Sequence, residues 1–204
     1  MKTIKISRTN SKLGTMIPSI NLPAALTCRA DAPCKKGCYA LKGNWLYDNV
    51  KKSLQNNLDA FIEDPDNYFN QIIEQLNGDV VYKFFRWHSS GDIVNETYLK
   101  GIIRVAKELP FTKFLCFTKK FNLVNNYLDS GEEIPSNLKI VFSAWDNTFK
   151  VENPYNLPVT YVFFKDSTKN ADIPEFAIPC IGDCQHCKSC WSLEKGQSVV
   201  FKKH

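Results

Sequence analysis

A chain of 204 residues with 44% hydrophobic and 23% charged residues carries enough apolar material for one domain with a sizeable core, which excludes the disordered and collagen-like classes. Its formal charge of +5 is mildly basic and excludes a polycationic tail protein. No run approaches the roughly 18 apolar residues of a membrane span. MKTIKISRTNSK has no apolar h-region and no small-residue cleavage site, so the expectation is a cytoplasmic protein without a membrane partner.

In chain order, Lys2–Ser7 alternates with Ile4 and Ile6 on one face and predicts a first strand. SKLG and IPSINLP read as loop. TCRADAPCKKGCYALKG, residues 27–43, then brings Cys28, Cys34 and Cys38 in a C-x5-C-x3-C triad. Asn44–Glu63 predicts a helix, with Leu46, Val50, Leu54, Leu58 and Phe61 at helical spacing. Asp64-Pro65 breaks it. Asp66 is the expected cap of a second helix carrying Phe69, Ile72, Ile73 and Leu76, closed by an αL-compatible Asn77-Gly78. Short apolar strands then alternate with helices. Strands are expected at Val80–Trp87, Phe114–Phe117, Leu138–Phe142, Val159–Phe164 and Ser198–Lys202, and helices at Asn95–Leu109 and Asn122–Leu128. Phe176–Ile178 leads into PCIGDCQHCKSCW, the second cysteine set at 180–190. The pattern argues for one α/β domain over residues 1–204: a partial (β/α) barrel or an open, mostly parallel sheet with flanking helices.

Seven of the eight cysteines fall in the two sets, and Cys116 stands alone in an apolar run. Dense thiols without a secretion signal point to metal rather than disulfides. Cys180, Cys184, Cys187 and Cys190 read C-x3-C-x2-C-x2-C, which is similar to the ferredoxin run with its gaps reversed. The expectation is one or two iron–sulfur clusters of the 4Fe-4S type. Three thiolates at Cys28, Cys34 and Cys38 would leave one iron open to a small ligand. Zinc is the alternative metal, and a single site shared by both sets is a third arrangement. The two sets are expected to lie close together if the first strand and Phe176–Ile178 are neighbours in the sheet. Arg29, Lys35, Lys36 and Lys188 lie among the ligands, where they either favour thiolates or are ordinary solvated surface.

Polar residues follow the predicted strands, where α/β folds build their sites. RWHSSGD is the richest stretch. Arg86 offers a bidentate fork for an anion, His88 a proton relay or metal ligand, and Asp92 an acceptor for a hydroxyl or ammonium group. Ser90, Gly91 and Asp92 could bind a cofactor or simply form a turn and cap. Trp87 and Trp145 read as core plugs. His186, between Cys184 and Cys187, reads as a neighbour of the metal ligands rather than a ligand. Lys119 and Lys120 could meet an anionic substrate. With Lys35 and Lys36 they form the nucleic-acid alternative, a zinc-stabilised module contacting phosphates.

NSKLGTMIPSINLPAALTC, CYALKG, RWHSSGD and the terminal cysteine run followed by Trp191 resemble the phage gene-product-eighty-eight family over nearly the whole chain. That family occurs in phages and prophages and implies no reaction; the cytoplasm would be that of the host cell. More distantly, the plan is similar to small radical S-adenosylmethionine (SAM) enzymes. That resemblance implies a partial barrel, a cluster with one open iron at Cys28, Cys34 and Cys38, and an auxiliary cluster at the C-terminal set. It implies SAM binding at Ser90, Gly91 and Asp92. Catalytic roles would fall to Arg86, His88, Asp92 and Lys119: Asp92 holding the ammonium group, Arg86 or Lys119 an anionic group, His88 moving a proton. Ferredoxin or flavodoxin would supply electrons. The C-x5-C-x3-C spacing departs from the usual C-x3-C-x2-C of those enzymes, and the motif has one glycine.

Overall fold

The computed structural model describes residues 2–78 and 80–203; the assignment of residues 1, 79 and 204 to the domain lies outside the described residues. The strands are β1 (Ile6–Ser7), β2 (Ser19–Ile20), β3 (Phe84–Trp87), β4 (Lys113–Thr118), β5 (Leu138–Ser143), β6 (Val159–Phe163), β7 (Ile178–Pro179) and β8 (Ser198–Lys202). They form one open sheet in the order β1-β2-β3-β4-β5-β6-β8-β7. Only β1 runs antiparallel, against β2. The expected open, mostly parallel sheet with helices is therefore found.

The helices are α1 (Ala24–Thr27), α2 (Asp48–Glu63), α3 (Pro65–Leu76), α4 (Glu96–Glu108), α5 (Phe121–Asp129) and α6 (Cys184–Cys187). Apolar side chains at i, i+3 and i+4 turn α2 to α5 onto one face of the sheet. Leu58 and Phe61, Phe69 and Ile72, Leu99 and Ile102, and Phe121 and Val124 share one core with Phe85, Trp87, Phe114, Ile140 and Phe142. The opposite residues of the same strands, Leu115 and Val141, join Val199 and meet no long helix. Leu13, Ile17, Trp191 and Leu193 cover them. The second cysteine set thus forms the lid of the second face.

Several boundaries move for physical reasons. Asp64, not Asp66, caps α3, accepting from the Asn67 N–H at 3.0 Å, with Pro65 at the first helical position. Asn77 ends that helix with φ −101°, outside the left-handed region. Residues 43–46 form a 3-10 turn ahead of α2, so Leu46 is exposed rather than part of the apolar stripe. Val80 and Val81 are exposed, and the strand begins only at Phe84. IPSINLP, expected as loop, contains β2, parallel to β3 through Ser19↔Arg86 and Ile20↔Trp87. The triad therefore follows β2, not β1.

The sheet order also corrects the expected neighbourhood of the two cysteine sets. β1 and β7 are at opposite edges of the sheet. The approach is made instead by residues 10–17. The Cys184 N–H donates to Lys12 O at 2.9 Å. Gly14, at φ +64°, lies so tightly on Gln185 that an added Cβ would stand 1.5 Å from Gln185 Oε1.

Candidate metal centre

The triad loop is built on two 3-10 turns: Cys34 sits within Pro33–Gly37, Cys38 joins it to Tyr39–Leu41, and Cys28 precedes both. It docks on the C-terminal ends of β3 and β4. The Arg29 guanidinium donates to Lys119 O at 3.1 Å, and the Tyr39 hydroxyl donates to Ser89 O. Cys28, Cys34 and Cys38 are all partly buried and carry no disulfide. Burial pushes the Cys28 thiol up to about 12, with Asp92 and the other two thiols adding to the rise and Lys119 opposing it. Burial also raises Cys34, where Lys119 is the main opposing charge. The three thiols therefore form one nest, faced by the charges of Lys119 and Asp92. A metal would have to displace their protons.

RWHSSGD does not act as one unit. Asp92 is 5% exposed and its carboxylate accepts from the Thr118 hydroxyl at 2.6 Å, the Lys119 N–H at 3.0 Å and the Ile93 N–H at 2.8 Å. Its own N–H donates to Thr27 Oγ1 at 3.1 Å. Burial raises its pKa, and the three donors work against that rise. Ser90 donates its hydroxyl to Leu22 O at 2.9 Å. Gly91 has φ +90°, and an added Cβ would be 2.8 Å from Leu22 Cβ and 2.8 Å from Thr27 Oγ1. Residues 90–92 thus lock the triad loop onto the sheet. Their hydrogen bonds run largely within their own chain.

His88 and Arg86 leave the triad for different sides. His88 takes φ +58°, a left-handed conformation that histidine adopts more readily than most residues. Its ring turns into the helical core, 3.0 Å from the Tyr98 hydroxyl and packed against Trp87. Burial, reinforced by Arg86 and Lys120, lowers its pKa to about 3. It is held neutral near pH 7. An unfolded histidine protonates near 6.5 while the folded one resists until about pH 3. Stability from this group is complete above the unfolded value and is lost as pH falls, by up to ~1.4 kcal/mol per pH unit. His88→Gln should flatten the difference in urea midpoint between pH 7 and pH 4.5; an unchanged difference would contradict the burial argument.

Arg86 alternates with Phe85 and Trp87 and so lies on the second face, its guanidinium 4.5 Å from the Phe117 ring centre. Lys119 remains with the triad. Its ammonium donates to Ser143 Oγ at 2.8 Å beside half-buried Trp145. Lys120 donates to Val94 O at 2.8 Å. Two of the four lysines of the nucleic-acid reading are thus engaged within the fold. Trp87 is the expected core plug, fully buried. Asp166 pairs with Lys169 at 3.0 Å in an exposed turn.

The second set wraps a concave pocket lined by Cys180, Cys184, Cys187, Cys190, Trp191 and Val199. Asp183 caps α6, and its carboxylate also meets exposed His186 Nδ1 at 2.6 Å. Lys188 turns the chain in the left-handed region, φ +54°. Trp191 is 2% exposed, donates Nε1–H to Phe85 O at 3.0 Å and stands edge-on to Phe84. Burial pushes the Cys190 thiol up to about 12, opposed chiefly by Arg86 and reinforced by the other three thiols of its set. Cys184 is raised by burial and opposed by Arg86 in the same way. The structure therefore holds two thiol nests, one on the strand rim and one on the second face.

In donor chemistry both nests suit a soft metal or an iron–sulfur cluster. Among the described residues, no three His, Cys, Asp or Glu side chains converge on one point as ligands of a single ion.

Three contributors were not legible beforehand: Thr27, Asn21 and Lys12. Asn21 Oδ1 accepts from the Ser89 and Ser90 N–H groups at 2.7 and 3.2 Å, shaping the turn after β3. Its signal was only a buried-type spacing inside a stretch that looked like loop.

A family model described as Gene product 88 matches residues 2–193. No curated protein and no solved structure matches the chain. No helix of the described residues is long and apolar enough to cross a membrane.

Proposed function

Because the chain belongs to the Gene product 88 family, a membership that names no reaction, we propose its function from the site itself: an iron–sulfur redox protein with an open-position cluster at Cys28, Cys34 and Cys38 and a second cluster at Cys180, Cys184, Cys187 and Cys190. The observation that carries this reading is the unequal pair of nests. Three thiols gather on the strand rim with Lys119 and Asp92 facing them, while four line a separate pocket. A three-thiolate cubane keeps one iron open to a small ligand and supplies single electrons, the chemistry of redox enzymes. Lys119 presents a positive charge to an anionic ligand or substrate at this rim. Asp92 retains about one acceptor position beyond its three protein donors, suited to an ammonium group. A carrier such as ferredoxin or flavodoxin would deliver the electrons.

The test is spectroscopic. Reduced protein, prepared anaerobically, should change its EPR spectrum when a small iron ligand is added, with cyanide and SAM as the probes. An unchanged spectrum with both, in protein that holds iron, would reject the open position and leave an electron carrier. Release of 5′-deoxyadenosine with SAM would extend the reading to radical chemistry. A spectral change without cleavage would restrict it to other redox chemistry.

A further inference from the structure

Arg86 is a cation without a visible counterpart. Among the described residues it enters no ion pair and no side-chain hydrogen bond, and its Nε is buried with no partner. Arg86 is half-buried, and a buried N–H left without an acceptor is costly, a cost that an adjacent anion would remove. The aromatic face of Phe117, 4.5 Å away, supplies a weak attraction only. Strand alternation puts Arg86 on the face of Phe84, where Trp191 stands edge-on to Phe84 and Cys180, Cys184 and Cys190 pack against the same cluster. Of the charges acting on Cys184 and Cys190, that of Arg86 is the largest. It also acts on the Tyr39 hydroxyl, which is influenced by all three thiols of the triad.

Neutral thiols cannot balance this charge, whereas thiolates on a metal can. We propose that Arg86 is the positioning cation of the C-terminal centre, balancing the negative charge of the metal-bound Cys184 and Cys190 sulfurs and holding that centre's reduction potential up. This rests on the iron–sulfur reading above. Reduction adds negative charge, so a fixed cation and N–H donors beside the sulfurs favour the reduced form. Removing the charge should lower the potential.

The experiment is protein-film voltammetry on the full-length chain, prepared anaerobically, with iron counted in each preparation. The C-terminal wave is assigned by its loss in Cys184→Ser. In Arg86→Gln that wave should move to lower potential, and in Arg86→Lys most of the shift should be recovered. Iron lost from the C-terminal set in Arg86→Gln but kept in Arg86→Lys would support the same role. A wave in Arg86→Gln that coincides with the wild type, equal shifts in the two variants, or iron loss in both would overturn it. Wild-type protein without iron would instead remove the iron–sulfur reading and this proposal with it.

Discussion

Trp191→Ala is expected to destabilise the chain by about 3–5 kcal/mol, in the range of large aromatic deletions from a packed core. The residue looks like part of a cysteine loop in sequence, yet it is 2% exposed. Its ring closes the second face of the sheet with Leu13, Ile17, Leu115 and Val141. Its indole N–H satisfies Phe85 O at 3.0 Å. Cys190 packs against the cluster that contains Trp191, so the four-thiol nest should loosen with it. Urea unfolding measures the first effect, and limited proteolysis within residues 180–193 the second. Trp191→Phe keeps most of the area and loses the hydrogen bond, and should cost about 1–3 kcal/mol including any orphaned carbonyl. A loss below about 1 kcal/mol for the alanine variant would mean that the C-terminal set is not the lid described here.

Gly91→Ala is the second large effect, at about 2–6 kcal/mol. A left-handed φ costs a non-glycine residue about 1–3 kcal/mol, and overpacking adds about 1–3 kcal/mol. At Gly91 both apply. Its φ is +90°, and the added Cβ would meet Leu22 Cβ and Thr27 Oγ1 at 2.8 Å and Leu22 O at 2.9 Å. Neither the Leu22 backbone nor Thr27, which holds Asp92 and Pro23 by hydrogen bonds, can yield cheaply. Gly131 provides the control. It has φ +81° and nothing within 4 Å of an added Cβ, so Gly131→Ala should show the backbone cost alone. If the two variants melt alike, the docking of the triad loop on residue 91 is wrong. If Gly91→Ala is the weaker, Cys28, Cys34 and Cys38 should also alkylate faster in it.

How far the sequence carried the fold depends on element length. α4 was legible almost to the residue, because Asn95 caps it and six apolar side chains repeat at helical spacing. β4, β5, β6 and β8 were legible because parallel strands covered on two faces read as apolar runs. β2 was not, since two residues between Pro18 and Pro23 show no periodicity. Its pairing rests on backbone bonds from Arg86 N–H to Pro18 O, His88 N–H to Ile20 O and Leu22 N–H to Ser90 O, at 3.0 Å each.

The candidate site was legible in part for a related reason. Spacing alone put Cys28, Cys34 and Cys38 into one set and the last four cysteines into another, and thiols of the same set act on Cys28 and on Cys190, although Asp92 and Arg86, outside the sets, act on them more strongly. RWHSSGD reads as one polar cluster, but alternation along β3 sends Arg86 to one face and the positive φ of His88 sends its ring to the other. Such a split depends on where a strand ends, which composition does not encode. Asp92 is a residue whose chemistry looked catalytic and whose hydrogen bonds are largely those of a clamp between the triad loop and β4.

The central claim, two separate iron–sulfur nests, is tested most directly by counting iron and acid-labile sulfide in anaerobically purified protein. The account predicts about eight of each per chain for two cubanes. About half should remain after Cys28, Cys34 and Cys38 are changed to serine, and about half after the same change at Cys180, Cys184, Cys187 and Cys190. Stoichiometric zinc without iron, or complete loss of iron when either set alone is changed, would contradict it.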